Sequence, residues 1–282
     1  MEPIHIKYLE LINITMKNIF YTFLFICSFS YGQNYYYSVN NSSGEIPALT
    51  DNLRRDYDAL VPASIITDGN GVITWEDQGS DGADVDRFST FLGPQTGTDG
   101  GGYPYVDFEG SGDHLFVNNA LMDAAAAAGG MTMVLVQNSG SQADARPVSE
   151  GNTTQNNTTY GPIATPQPAG IKNRAYIRNS VNSTHLDNTS TGDLYDDTKK
   201  VITVIDIGTN LKIWSGSTLL VDEDYTRSGA MNCNVFILGA LRRLTYSSVW
   251  VGLMYEVLVY DVAKSDTDRA TILSEMETKW GI

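Results

Sequence analysis

The chain has 282 residues, 42% of them hydrophobic, and its 18 Lys and Arg against 33 Asp and Glu give a formal net charge of −15 at pH 7. That length is compatible with one large β core and does not demand two domains. The acidic balance excludes nucleic acid as a partner and disfavours anionic membrane surfaces, because phosphate neutralisation needs clustered Lys and Arg.

Met16 to Gly32 reads as a secretory signal peptide. Lys17 supplies a short positive region, Ile19 to Phe29 an apolar one, and Ser30-Tyr31-Gly32 places small residues where a signal peptidase reads. Cleavage is expected before Gln33, with Met16 as an alternative start to Met1. The apolar stretch is shorter than the roughly 20 residues of a spanning helix, and no later segment qualifies, so no membrane span is expected. The expected location is secreted or extracytoplasmic, in a periplasm or at a cell surface. Residues 1–32 then form the signal region, 33–49 a leader, and 50–282 the folded domain. Cleavage removes Cys27 and His5, leaving Cys233 as the only cysteine. A lone cysteine forms no intramolecular disulfide, so the domain relies on its core. Its neighbours Val235, Phe236 and Ile237 point to a buried small hydrophobe.

Beyond the leader, short apolar runs alternate with turns rich in Gly, Asn, Asp and Ser, the all-β pattern. Predicted strands are Gly71 to Trp75, Tyr103 to Glu109, Met131 to Gln137, Lys200 to Ile207, Leu211 to Trp214, Thr218 to Val221, Val235 to Leu238, Val249 to Val251 and Leu253 to Tyr260. In Lys200 to Ile207, Val201, Thr203, Ile205 and Ile207 share one face and Ile202, Val204 and Asp206 the other, predicting a mostly buried strand. Leu211 to Val221 reads as a hairpin turning at Gly216. Asn138 to Asn173, polar and broken by Pro162, Pro166 and Pro168, is expected to be a long surface loop. Two helices are predicted, a short one within Asn119 to Ala128 and a terminal one that opens on Ser265 with Asp268 three residues on. Leu273, Met276 and Trp280 recur along the second at helical spacing, predicting a docked face.

The closing stretch carries Gly252, Glu256, Tyr260-Asp261, Ser265 and Lys279-Trp280-Gly281, and resembles the last strand and helix of LamG-like jelly-roll domains of the concanavalin A-like lectin and glucanase superfamily. GNGVITWEDQGSDG and YPYVDFEGSGDHLFV resemble two earlier blocks of such domains, in the usual order. Gly79-Ser80 departs from the Ser-Gly of the first block, and Trp214-Ser215-Gly216 stands where many relatives have Tyr-x-Asn-Gly. The resemblance implies a two-sheet antiparallel jelly-roll sandwich with a short C-terminal helix. Such domains serve lectin-like recognition, adhesion and the support of polysaccharide-degrading enzymes, and fold alone does not choose among these.

A retaining glycosidase needs two carboxylates about 5 Å apart, which on a strand means alternate acids facing one cleft. No such pair occurs: Asp206 stands alone, Asp222 and Asp224 lie beside turn residues, and the Glu256 strand has no second acid on its face. His114 and His185 fall in no zinc or triad arrangement. No catalytic residue is therefore assigned. Glu256, expected to share a face with Met254, Leu258 and Tyr260, is read as a carboxylate that needs a partner if buried, structural or ligand-binding. Tyr103, Tyr105, Trp214, Tyr246 and Trp250 are the candidates for stacking on sugar rings, with core packing as the alternative for each. Many jelly rolls of the resembled superfamily carry calcium, and Asp77, Asp81, Asp84 and Asp86 are the candidate ligands, without the spacing of an EF-hand. The leading expectation is a secreted, non-catalytic carbohydrate-binding or adhesion module whose partner is an extracellular polysaccharide or glycan. A polysaccharide-degrading enzyme and a purely structural cell-surface domain stand as alternatives.

Overall fold

The computed structural model describes residues 47–88, 92–110, 112–140, 142–164, 173–178, 184–190, 194–227 and 231–282. The predicted signal segment, the leader up to residue 46 and residues 141 and 165–172 of the predicted loop lie outside them.

Two antiparallel sheets form a sandwich. The first contains β1 (Leu53–Asp58), β5 (Gln95–Thr98), β6 (Pro104–Phe108), β8 (Met131–Asn138), β13 (Lys200–Asp206), β14 (Asn210–Ser215), β15 (Thr218–Asp224) and β19 (Gly252–Tyr260). Its order is β15-β14-β13-β8-β19-β6-β5, with β1 also pairing β19. The second sheet contains β2 (Ile65–Asp68), β3 (Gly71–Trp75), β4 (Val85–Arg87), β7 (Leu115–Val117), β9 (Val148–Gly151), β10 (Thr159–Ala164), β11 (Asn173–Arg178), β12 (Thr184–Ser190) and β16 (Val235–Leu238). It runs β12-β11-β10-β9-β16-β7-β4-β3-β2. A small hairpin, β17 (Leu241–Arg242) and β18 (Tyr246–Ser247), stands apart. The helices are α1 (Pro47–Thr50), α2 (Met122–Ala128) and α3 (Asp266–Trp280).

The continuous apolar runs of β8 and β13 are buried on both faces because each side of their sheet is covered. One face meets the second sheet: Tyr57 of β1 stacks on Phe236 of β16 with centroids 5.9 Å apart, and the Arg55 guanidinium lies 4.6 Å above the same ring. The other face lies under α3, which buries Ile272, Leu273, Met276 and Trp280. That helix begins as predicted. Ser265 Oγ accepts from the Asp268 N–H at 3.1 Å and donates to its carboxylate at 2.8 Å. It ends at Gly281, whose φ of +63° is the left-handed conformation glycine supplies without strain.

Several expectations are corrected. Val249 to Val251 is not a strand; Trp250 lies in a loop, its N–H held by the Gly239 carbonyl at 2.8 Å and its ring buried against Phe108. Ile207, expected to continue a buried face, follows the end of β13 and is exposed. The predicted surface loop 138–173 contains β9 and β10, whose residues are all buried. Two of its buried polar groups find partners far along the chain. Glu150 accepts the backbone N–H groups of Leu121, Met122 and Asp123 at 2.5 to 2.8 Å, and the Tyr160 hydroxyl donates to Asp206 across the sandwich at 2.7 Å. The register of β19 shifts by a bulge between Met254 and Glu256. Met254 opposes Val106 on the inner face and Glu256 opposes Asp58 on the helix side, so the two do not share a face as strict alternation predicted.

Candidate functional site

The bulge in β19 is also where one of its neighbours replaces another. β6 pairs Gly252 to Met254, β1 pairs Glu256 to Tyr260, and both use the edge opposite β8. Between them the sheet leaves a notch, and the Ala59 N–H bonds the Tyr255 carbonyl at 3.0 Å across its end. Here a solvent-open cleft of about 360 Å³ is lined by Ala59, Pro62, Ile65, Thr67, Thr96, Gly97, Thr98, Pro104 and Tyr105. Its volume falls at the small end of ligand sites, which run from about 300 to 1,000 Å³.

Register fixes the Tyr105 ring in this cleft. Gly97 on β5 is directly opposite Tyr105 on β6, and a Cβ at Gly97 would lie 2.5 Å from three atoms of the tyrosine ring and hydroxyl. Only glycine lets the ring lie flat across the neighbouring strand. Thr96 and Thr98, on either side of that glycine, are exposed, as is Thr67 on β2. The ring edge meets Tyr255 at 5.9 Å, Tyr255 meets Trp280 at 5.4 Å, and Tyr103 completes the series 6.1 Å from Trp280. The Lys199 ammonium lies 3.8 Å above the Tyr103 ring and 2.9 Å from Asp99. Burial alone would raise the Asp99 carboxyl, but Lys199 and the backbone N–H groups of Tyr103 and Gly101 hold it below its ordinary value.

The structure thus brings Tyr103, Tyr105 and Glu256 into one neighbourhood, with Glu256 beneath Trp280 rather than in the cleft. The Glu256 carboxylate is 2% exposed and accepts from Lys279 Nζ at 2.7 Å and Trp280 Nε1 at 2.6 Å. Burial raises its pKa, opposed by the Lys279 charge. Trp214, Tyr246 and Trp250 lie elsewhere. Trp214 is 5% exposed with the Arg269 guanidinium 4.9 Å above it, and Trp250 has no exposed surface. Tyr246 stands on the β17–β18 hairpin with His114, Phe88 and Phe116, and Arg242 lies 4.4 Å above Phe116 and 5.2 Å above Tyr246. Burial, then the Arg242 charge, lowers His114 to about 4.

The four candidate calcium ligands are spread over separate hydrogen bonds. Asp77 accepts from the N–H groups of Asp56, Gly79 and Ala83, Asp84 from that of Asp77, and Asp86 from the Thr74 hydroxyl. Asp81 is held by Arg54, with Arg55 3.6 Å away. Among the described residues no three His, Cys, Asp or Glu side chains are placed to hold a metal ion. Cys233 is half-buried rather than buried, and burial followed by the charges of Asp123 and Glu150 raises its thiol well above the ordinary value. That disfavours the thiolate.

Sequence reasoning found Tyr105 but missed Tyr255, Gly97 and the threonines. The signal for Gly97 and two of the threonines was present as Thr96-Gly97-Thr98, although no periodic apolar run marked it as a strand.

The chain matches no protein-family model and no curated sequence. Solved structures do resemble it. They include the binding domain of botulinum neurotoxin DC in complex with SialylT (TM-score 0.54, 11% identity, 80% of this chain and 52% of that one). The binding domain of Paraclostridial mosquitocidal protein 1 gives TM-score 0.54 and 8% identity over 80% of this chain and 53% of that one. Trypanosoma rangeli sialidase in complex with sialic acid gives 0.56 and 11% over 82% of this chain and 34% of that one. The chain therefore spans about half the length of the two binding domains and a third of the sialidase. At these identities the likeness is one of fold, the two-sheet β-sandwich.

Proposed function

We propose that the protein is an exported, non-catalytic glycan-binding or adhesion module of LamG-like, concanavalin A-like type. The observation that carries this reading is the notch beside β19, where Gly97 holds the Tyr105 ring flat and exposed threonine hydroxyls surround it. An aromatic face packs on the apolar face of a pyranose, while hydroxyls that both donate and accept match the sugar's own. Fold likeness to a neurotoxin binding domain in complex with SialylT and to a sialidase in complex with sialic acid supports the same reading, as does the signal segment, which would deliver the chain to extracellular glycan. Affinity electrophoresis of the full-length chain through gels containing soluble polysaccharides tests it. Retardation by at least one glycan, relieved by Tyr105→Ala, is expected; unretarded migration through all of them would remove the reading.

A further inference from the structure

Resting on that reading, we infer that the cleft takes an uncharged glycan and discriminates against carboxylated, sialylated and sulfated ones. None of the residues lining it carries a charge. A site for an anionic sugar places an Arg or Lys where it can hydrogen-bond the acid, commonly as a two-pronged guanidinium contact. Here the charges next to the lining residues along the chain are acidic: Asp58 precedes Ala59, Asp68 follows Thr67, Asp99 follows Thr98, and Asp107 is two residues along β6 from Tyr105.

The nearby cations are committed to those acids. Lys279 lies 2.8 Å from Asp58, Arg87 forms two bonds to Asp68 at 2.7 and 3.1 Å, and Lys199 lies 2.9 Å from Asp99. Drawing any of them toward a ligand carboxylate exposes an unpaired aspartate. With the chain at −15, the surrounding field opposes an approaching anion and is indifferent to a neutral sugar. The volume of about 360 Å³ suits a short segment or chain end rather than an extended polymer held along its length. A different surface, where Arg242 lies over Phe116 and Tyr246, offers the opposite chemistry and provides the internal contrast.

The test is a glycan array probed with the full-length chain at low and high NaCl, repeated with Tyr105→Ala and Arg242→Ala after circular dichroism shows both variants folded. The inference expects neutral hexose oligosaccharides among the hits and acidic ones absent. It also expects a Kd nearly insensitive to salt, about tenfold weaker binding in Tyr105→Ala as one stacking contact is lost, and no change in Arg242→Ala. Binding confined to acidic glycans, weakened by salt and by Arg242→Ala, would overturn the inference while leaving glycan binding intact. Neutral binding untouched by Tyr105→Ala would overturn the assignment to this cleft. Silence across every class would overturn the glycan-binding reading itself.

Discussion

The indole Nε1 of Trp280 donates a 2.6 Å hydrogen bond to Oε2 of Glu256, and Lys279 Nζ lies 2.7 Å from the other oxygen of that carboxylate and 2.8 Å from Asp58. Two consecutive residues at the end of α3 thereby fasten the helix to adjacent strands of the first sheet. The bulge in β19 makes this geometry available, turning Tyr255 and Glu256 toward the same helix. Tyr255, packed on Trp280, also meets the half-buried Tyr105 ring at the wall of the cleft.

Removing the carboxylate leaves a half-buried ammonium with one partner fewer and a buried indole N–H with none. Glu256→Ala is expected to cost about 3 kcal/mol, the scale of breaking a buried pair from one side. The urea midpoint measures it. A change under about 0.5 kcal/mol would mean that the helix is held by its apolar face alone.

Asp58, Glu256 and Asp56 share a single lysine here. Burial, then the Glu256 charge, raises Asp56 well above its ordinary value of 3.8, with Lys279 opposing, and its Oδ1 is buried without a hydrogen-bond partner. A carboxyl whose folded pKa exceeds its unfolded one binds the extra proton in the folded state. Its contribution to stability is complete below about pH 4 and is lost as the pH rises through the raised folded value. Asp56→Asn, which keeps the shape and cannot ionise, is therefore expected to match wild type below about pH 4 and to exceed it at neutral pH. Urea midpoints across that range measure the difference. A gap that is constant with pH would show that Asp56 ionises as it does in the unfolded chain.

Among the strands read from the sequence, β8, β13, β16 and β19 are those whose apolar residues bury on both faces. β1 was not legible, because Leu-Arg-Arg-Asp-Tyr-Asp looks solvated until Arg55 is seen fully buried over Phe236 and hydrogen-bonded to the Asn119 carbonyl at 2.6 Å. β9 and β10 were hidden for the same reason, since the groups that satisfy Glu150 lie 27 to 29 residues away. Partners at that separation leave no local pattern. The cleft was half legible: Tyr105 could be picked out by type, whereas its match to Gly97 exists only once β5 and β6 are in register. Glu256 was identified as a carboxylate in need of a partner, and its partners came from the helix whose docking face had been read from Leu273, Met276 and Trp280.

Deep in the sandwich, Asp206 accepts from the hydroxyls of Tyr160 at 2.7 Å and Tyr225 at 2.7 and 2.8 Å, with Arg227 3.8 Å away and itself bonded to Asp123. With one cysteine in the described domain, this network ties the two sheets where a disulfide is not available. Tyr225→Phe removes one hydrogen bond to a charged acceptor that keeps others, and about 1.5 kcal/mol is expected. Arg227→Leu leaves two buried carboxylates short of a cation, and about 3 to 5 kcal/mol is expected. Denaturant midpoints rank the two, and the reverse order would remove the network's role.

Asp77 receives three backbone N–H bonds, which is the work a bound cation would otherwise do in ordering its loop. Adding millimolar calcium or excess chelator is expected to leave the melting temperature unchanged, while Asp77→Ala is expected to cost about 2 kcal/mol by stranding those donors. A calcium-dependent rise in melting temperature would instead place a metal in this loop.

Gly97 separates the role of the cleft from that of the core. An added methyl would lie 2.5 Å from Tyr105 ring atoms, so Gly97→Ala must lift the ring off β5. Because β5 is an edge strand and Tyr105 is only half-buried, the ring can turn outward without opening the core, and alanine at this site costs less than about 1 kcal/mol. Glycan binding, by contrast, depends on where that ring face points, so affinity is expected to fall by about tenfold while the urea midpoint barely moves. Titration of the variant against whichever oligosaccharide binds the parent chain measures the first quantity. If affinity is kept while the ring is displaced, Tyr105 does not form the floor of the site; if stability falls by several kcal/mol, the tyrosine belongs to the core and the notch is a packing seam.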